Sequence, residues 1–210
     1  MGNPTVANII KSGAVLWFAP VGTADPDETG VTSGSAWGID TGSAGWQRVG
    51  YTKAPLTFAY EDEQIDIETE EELAPVKRLR TKENITLETA LAELSAATLQ
   101  LALGNQGSIT TTPSGSSQRA YEETTLGGVA EIMEMKWGFE GIYLDDSGND
   151  FPIRFFIHKG TAKLNGALEF SQKSGEYVGI PIQIKALADS TQPAGNKLCK
   201  FQRVTAEHSS

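Results

Sequence analysis

The chain has 210 residues and a formal net charge of −10, a length that suits one domain with a substantial core. The acidic balance excludes a protein that grips nucleic acid through Lys/Arg clusters, and 39% hydrophobic against 21% charged residues excludes a disordered chain. One cysteine, Cys199, excludes an intrachain disulfide; no apolar run approaches the ~18 residues of a membrane span; and the opening MGNPTVANIIKSG predicts no signal peptide.

Residues 1–12 read as an arm. Residues 14–19 (AVLWFA) are an apolar run stopped by Pro20 and predict a strand. Residues 20–44 are rich in glycine and predict a long loop with a short strand near 37–39. Loops of that length are usually functional or mobile. Residues 46–52 and 56–60 predict strands, the second running into an acidic strand at about 62–70. A turn follows at 71–75, with Pro75 as its breaker. The chain then returns through 76–87, basic at first with Lys77, Arg78, Arg80 and Lys82. The return strand and the acidic strand predict an antiparallel hairpin.

Residues 88–103 (ETALAELSAATLQLAL) predict the one helix, because Leu87, Leu91, Leu94, Leu99 and Leu103 recur near helical spacing. Gly104-Asn105 is its expected stop. A second polar loop is expected at 104–126. Strands are expected at 128–139, 141–144, 152–159, 161–171, 177–188 and 198–204. The tally is about ten short strands and one helix. It predicts a mainly β, sandwich or barrel-like domain over 13–205, with the helix packed on a sheet and a short tail at 206–210.

Residues 61–72 (EDEQIDIETEEE) hold eight acids and no base. Gln64, Asp66, Glu68 and Glu70 alternate with Ile65 and Ile67, and a period of two places the two sets on opposite strand faces. Like charges on one face repel by a few tenths of a kcal/mol or more per close pair, roughly. A fold that keeps them has a use for a negative, solvated surface. Ile65 and Ile67 are then expected to face the core, near the helix leucines.

Signs of catalysis are weak. His208 lies beside the terminus and His158 sits in an apolar strand, where a packed histidine is the simpler reading. The nucleophile-elbow, dinucleotide-binding and phosphate-loop patterns do not occur. Asp145, Asp146, Asn149 and Asp150 cluster without calcium-loop spacing. Cys199 alternates with Leu198 and Phe201 and reads as a packing residue. No cofactor, metal site or catalytic residue is expected.

Three stretches resemble the major tail tube proteins of long-tailed, siphovirus-like bacteriophages and related gene-transfer particles. They are the opening VANIIKSGAVLWFAPVG, the central GWQRVGYTKAPLTFAYEDEQIDIETEEELAPVKRLRTKENITLETALAELSAATLQLALG and the closing GTAKLNGALEFSQKSGEYVGIPIQIKALAD. The resemblance implies a non-enzymatic subunit of the virion tail, assembled in the bacterial cytoplasm. Six copies form a ring, and rings stack into a hollow tube through which DNA passes without specific binding. The implied partners are the chain itself, a tail terminator, a tape measure protein and distal tail proteins.

On that reading Gln64, Asp66, Glu68 and Glu70 line the lumen, where carboxylates repel phosphates and let DNA slide. A one-residue slip in register would invert the face. Glu71 and Glu72, with Lys77, Arg78 and Arg80 of a neighbour, are the expected contacts between subunits or rings. Competing readings are another ring protein of the same fold (a tail terminator, a distal tail ring or a type VI secretion tube) and a monomeric β-sandwich binding module. An enzyme is the weakest reading.

Overall fold

The computed structural model describes residues 13–26, 45–105, 107–128, 130–144, 148–168 and 179–205. The expected arm at 1–12, residues 27–44 of the expected loop with its strand near 37–39, residues 145–147 of the acidic cluster and the tail at 206–210 lie outside them, as do the end of the expected 161–171 strand and the start of the expected 177–188 strand. The described residues form strands β1 (Val15–Pro20), β2 (Gln47–Arg48), β3 (Thr57–Ile67), β4 (Lys77–Leu91), β5 (Ile109–Thr112) and β6 (Tyr121–Thr124). They continue with β7 (Glu134–Leu144), β8 (Asp150–Leu164), β9 (Ile180–Ala186) and β10 (Cys199–Arg203), and one helix, α1 (Ala96–Leu103).

Eight strands share one antiparallel sheet in the order β2-β1-β7-β8-β9-β4-β3, with β10 also paired to β8. The sheet does not close into a barrel; β2 and β3 are its ends. β8 divides it. The first part of β8 pairs with β10 and the last part with β9, while β7 runs along most of its other side. Gly160 stands at the division, where an added Cβ would lie 2.9 Å from the Lys185 carbonyl oxygen. Only glycine allows backbones that close.

Alternation along β1 sends Leu16 and Phe18 to the main core, with Trp137, Ile157, Leu87, Ile182 and Ile184. Trp17 and Ala19 point to the other face, onto Trp46 and Phe156. Both faces of β1 are covered, which is why its sequence reads as an unbroken apolar run. Trp137 is fully buried and donates its indole N–H to the Gly160 carbonyl at 3.2 Å. Arg154 on β8 lies directly across from Glu140 on β7, and the two form a buried ion pair.

The helix expected over 88–103 is shorter than the leucine spacing implied. Residues 88–91 continue β4, paired to β9. Leu87 and Leu91 are four apart, a spacing that fits a strand as well as a helix, and Thr89 between them is buried with them. The helix begins only after Ser95. Its Oγ accepts from the Thr98 N–H at 3.2 Å, and Thr98 Oγ1 accepts from the Ser95 N–H at 2.8 Å, a reciprocal capping box. Gly104 ends the helix in the left-handed region at φ +60°, as expected. α1 lies against β8 and β9, burying Leu101 and Ala102, while Leu94 and Leu103 stay exposed.

The loop expected at 104–126 contains the β5–β6 hairpin. It is tied to the helix end by Gln100 Nε2 donating to the Gly107 carbonyl at 2.7 Å and Asn105 Nδ2 donating to the Thr125 carbonyl at 2.9 Å. The strand expected at 46–52 reduces to the two residues of β2.

Candidate functional site: the acidic hairpin

β3 and β4 form one long hairpin, but β9 pairs β4 only over residues 86–91. The outer half, roughly 61–84, therefore extends past the sheet with no strand on its far edge among the described residues. Cross-strand pairing fixes its faces. Phe58, Tyr60, Asp62, Gln64 and Asp66 share one face with Leu87, Ile85, Glu83, Arg80 and Arg78. The register shifts between Glu63 and Gln64, leaving Thr81 as the extra residue of a bulge. Its Oγ1 donates to the Glu63 carbonyl at 3.1 Å.

The face shared with Phe58 begins in the core and becomes a charge ladder. Arg78 Nε donates to Asp66 at 2.8 Å, and Arg80 Nε donates to Asp62 at 3.1 Å while also pairing with Glu83. Gln64 Nε2 donates to Asp62 at 2.6 Å, and the Tyr60 hydroxyl donates to Glu83 at 2.9 Å. The hydrogen bond from Gln64, then that from Arg80, holds Asp62 below the usual carboxylate range. Hydrogen bonds to Glu83 and Asp62 raise Arg80. On the opposite face Lys82 Nζ lies 2.9 Å from Glu63, and that bond raises the lysine. All these pairs are exposed, so each adds little stability and is weakened by salt.

Two expectations change here. Ile65 and Ile67 do not face the core; they are 55% and 38% exposed, on the face opposite Phe58. The hairpin extends past the rest of the sheet, and among the described residues no second layer covers this face of it. The acidic strand also ends at Ile67 rather than at about 70. Gln64 and Asp66 sit on β3, whereas Glu68 and Glu70 lie in the turn with Glu71 and Glu72. Among the described residues none of these four turn acids has a basic partner. The acidic run thus divides into a stem paired to its own return strand and a tip of unpaired carboxylates. Lys77, Arg78 and Arg80 are exposed on β4, and both arginines are engaged within the hairpin.

The sheet face opposite the core forms a second polar surface that sequence reading missed. It carries Glu61, Glu63 and Glu88 with Lys82, Lys163 and Lys185. The signal was present in residues 180–186, IPIQIKA, where Ile180, Ile182 and Ile184 are buried and Gln183 and Lys185 take the alternate positions. Gln183 Nε2 donates to Glu88 across the strands.

His158 is buried beside Asn196, with Nε2 3.3 Å from Oδ1. Cys199 is half-buried at the core edge, and burial pushes its thiol up to about 11. No helix is long and apolar enough to cross a membrane, and no group of metal-ligating side chains occurs among the described residues.

A projecting charged hairpin and an open sheet edge on an otherwise packed β domain are features of a subunit built to meet other subunits. No curated protein matches the chain. A family model described as phage tail tube protein matches residues 1–200. The chain belongs to the phage tail tube proteins: a non-enzymatic structural subunit of the virion tail that self-assembles, with other tail proteins, into a tube.

Proposed function

We propose that six copies close into a ring and that rings stack into a hollow tube conducting DNA from a siphovirus-like capsid or gene-transfer particle to the host cell. The observation that carries this reading is the long edge strand β3, whose outer edge has no partner strand among the described residues and is a template for a strand of the neighbouring copy. Joining subunits at this edge would give a continuous barrel with no exposed edges. A tail terminator, a tape measure protein and a distal tail protein are the expected partners at the ends and in the lumen.

The lumen is negatively charged in this proposal, lined by Gln64, Asp66, Glu68 and Glu70. Among the described residues Glu68 and Glu70 have no basic partner, which supports a role that needs free carboxylates. Glu71 and Glu72 reach the neighbouring ring and meet Lys77, Arg78 or Arg80 there, exchanging partners with the hairpin's own ion pairs. A second register is favoured by one specific observation: Gln64 and Asp66 share the face of Phe58. If the core side of the sheet faces outward, the lining is the opposite face, with Glu61, Glu63 and Glu88 among Lys82, Lys163 and Lys185.

Charge reversal separates the two registers. Asp66→Lys with Glu68→Lys is expected to leave tubes intact and impair DNA delivery in the first. Glu61→Lys with Glu63→Lys does so in the second. Normal DNA delivery by both variants would sink the charged-lumen proposal.

A further inference from the structure

Ile65, Ile67 and Leu79 stand together on the hairpin face turned away from Phe58, with Ile65 directly across from Leu79. They are 55%, 38% and 43% exposed. The Glu63–Lys82 pair flanks them on the same face, and the Asp66–Arg78 pair on the opposite face helps hold the two strands in register. A face meant for water would carry polar residues here, as it does one step closer to the domain at Glu61, Glu63, Lys82 and Asn84. A contiguous exposed apolar row of this kind marks an interaction surface.

The same chain carries an apolar groove. It has a volume of about 270 Å³, lies beside the start of β3, and is lined by Pro55, Leu56, Phe139, Ile153 and Phe155. That is space for about two aliphatic side chains at protein packing density. Phe58 packs on Phe139 and Phe155, with ring centroids 6.1 and 5.1 Å away. The ridge points away from Phe58's face, so a chain's own ridge is turned from its own groove. A second copy has no such constraint.

We propose that the ridge of Ile65, Ile67 and Leu79 on one copy seats in the groove of Leu56, Phe139, Ile153 and Phe155 on the next copy along the tube. The inference rests on the tube reading and gives the stacking contact an apolar centre. Ridge and groove are different patches, so the contact is heterologous, and a heterologous contact that does not close on itself propagates without limit. That is the symmetry a growing tube requires. The unpaired acids lie past Ile67 in the turn, so seating the ridge leaves them outside the apolar groove. Burial at the centre supplies affinity while the flanking charges set register.

Cross-linking tests the contact. Ile67→Cys combined with Ile153→Cys in one chain is expected, on oxidation of assembled tubes, to give a ladder of covalent multimers on a non-reducing gel. Each single variant stops at dimers or below. The native thiol, Cys199, is half-buried and is present in the single variants too, which serve as its control. Because Ile153→Cys touches the packed interior, a second measurement uses only exposed positions. Ile65→Ser with Ile67→Ser is expected to keep the wild-type circular dichroism spectrum and raise the critical concentration for polymerisation by about ten-fold or more. Assembled tubes of the double-cysteine variant that give no ladder, or a serine variant that polymerises at the wild-type concentration, would overturn the ridge–groove contact alone. A wild-type protein that never forms tubes would instead overturn the reading beneath it.

Discussion

Replacing Arg154 with Met asks whether the buried ion pair holds the sheet from which the hairpin projects. The Arg154 side chain is 2% exposed and its Nε donates to Glu140, itself 12% exposed. Methionine keeps much of the apolar stem and removes the charge. The Glu140 carboxylate is then buried with its partner gone, a change that costs about 3–5 kcal/mol. Burial raises Glu140 from 4.5 to about 7, and at about 1.4 kcal/mol per pH unit that rise is on the order of 3 kcal/mol. The sign follows from the direction. The folded chain holds a proton that the unfolded chain has released, so stability falls as pH rises from about 4.5 through about 7. Without the guanidinium the carboxyl rises further. Urea unfolding of both proteins, below the concentration of assembly, is expected to show a loss of about 3–5 kcal/mol at pH 8, shrinking by more than half at pH 5. A loss under about 1 kcal/mol at pH 8, or one equal at both pH values, would refute the reasoning.

Three further outcomes follow from particular contacts. Ser95→Ala removes the cap of a helix only eight residues long and is expected to cost about 1 kcal/mol in urea unfolding. Gly104→Ala forces a left-handed alanine whose Cβ would lie 2.6 Å from Ile132 Cγ2 and 2.8 Å from the Ala162 carbonyl oxygen. It should cost more than the ~1–2 kcal/mol of the backbone conformation alone, and a neutral result would contradict the packing of the α1 end on β8. Arg78→Glu with Arg80→Glu removes exposed pairs that add little to the monomer. Its circular dichroism should match wild type while sedimentation shows polymerisation lost; normal polymerisation would remove these arginines from the stacking contact.

The strands were legible where alternation and burial agree. The run at 14–19 and the alternation at 180–186 were placed within a few residues, because each side chain's environment is set by its own sheet. The helix start was not, because Leu87, Thr89 and Leu91 satisfy a strand period while Leu87 and Leu91 also satisfy a helical one. Only the ladder to β9 decides between them. The β5–β6 hairpin escaped notice because its strands, ITTT and YEET, are short, polar and mostly exposed.

At the hairpin, sequence revealed the charge but not the face. Ile65 and Ile67 alternate with acids as a half-buried strand would, yet burial requires a second layer, and among the described residues none covers the part of the hairpin that runs past β9. How far β4 runs past β9 is a long-range fact that no local pattern carries. The pairing of Asp66 with Arg78 and of Asp62 with Arg80 likewise depends on the bulge at Thr81. Without that extra residue the register would place different residues opposite each other.

The central claim is that this subunit stacks as six-fold rings around a conduit. Electron cryomicroscopy of the purified protein, concentrated until it polymerises, tests it most directly. The account predicts tubes with six subunits per ring, β3 paired to the neighbouring copy, and acidic side chains of the hairpin lining the lumen or reaching the next ring. A uniform population of monomers under conditions where a tail-tip complex is also supplied, or closed single rings that never stack, would contradict it.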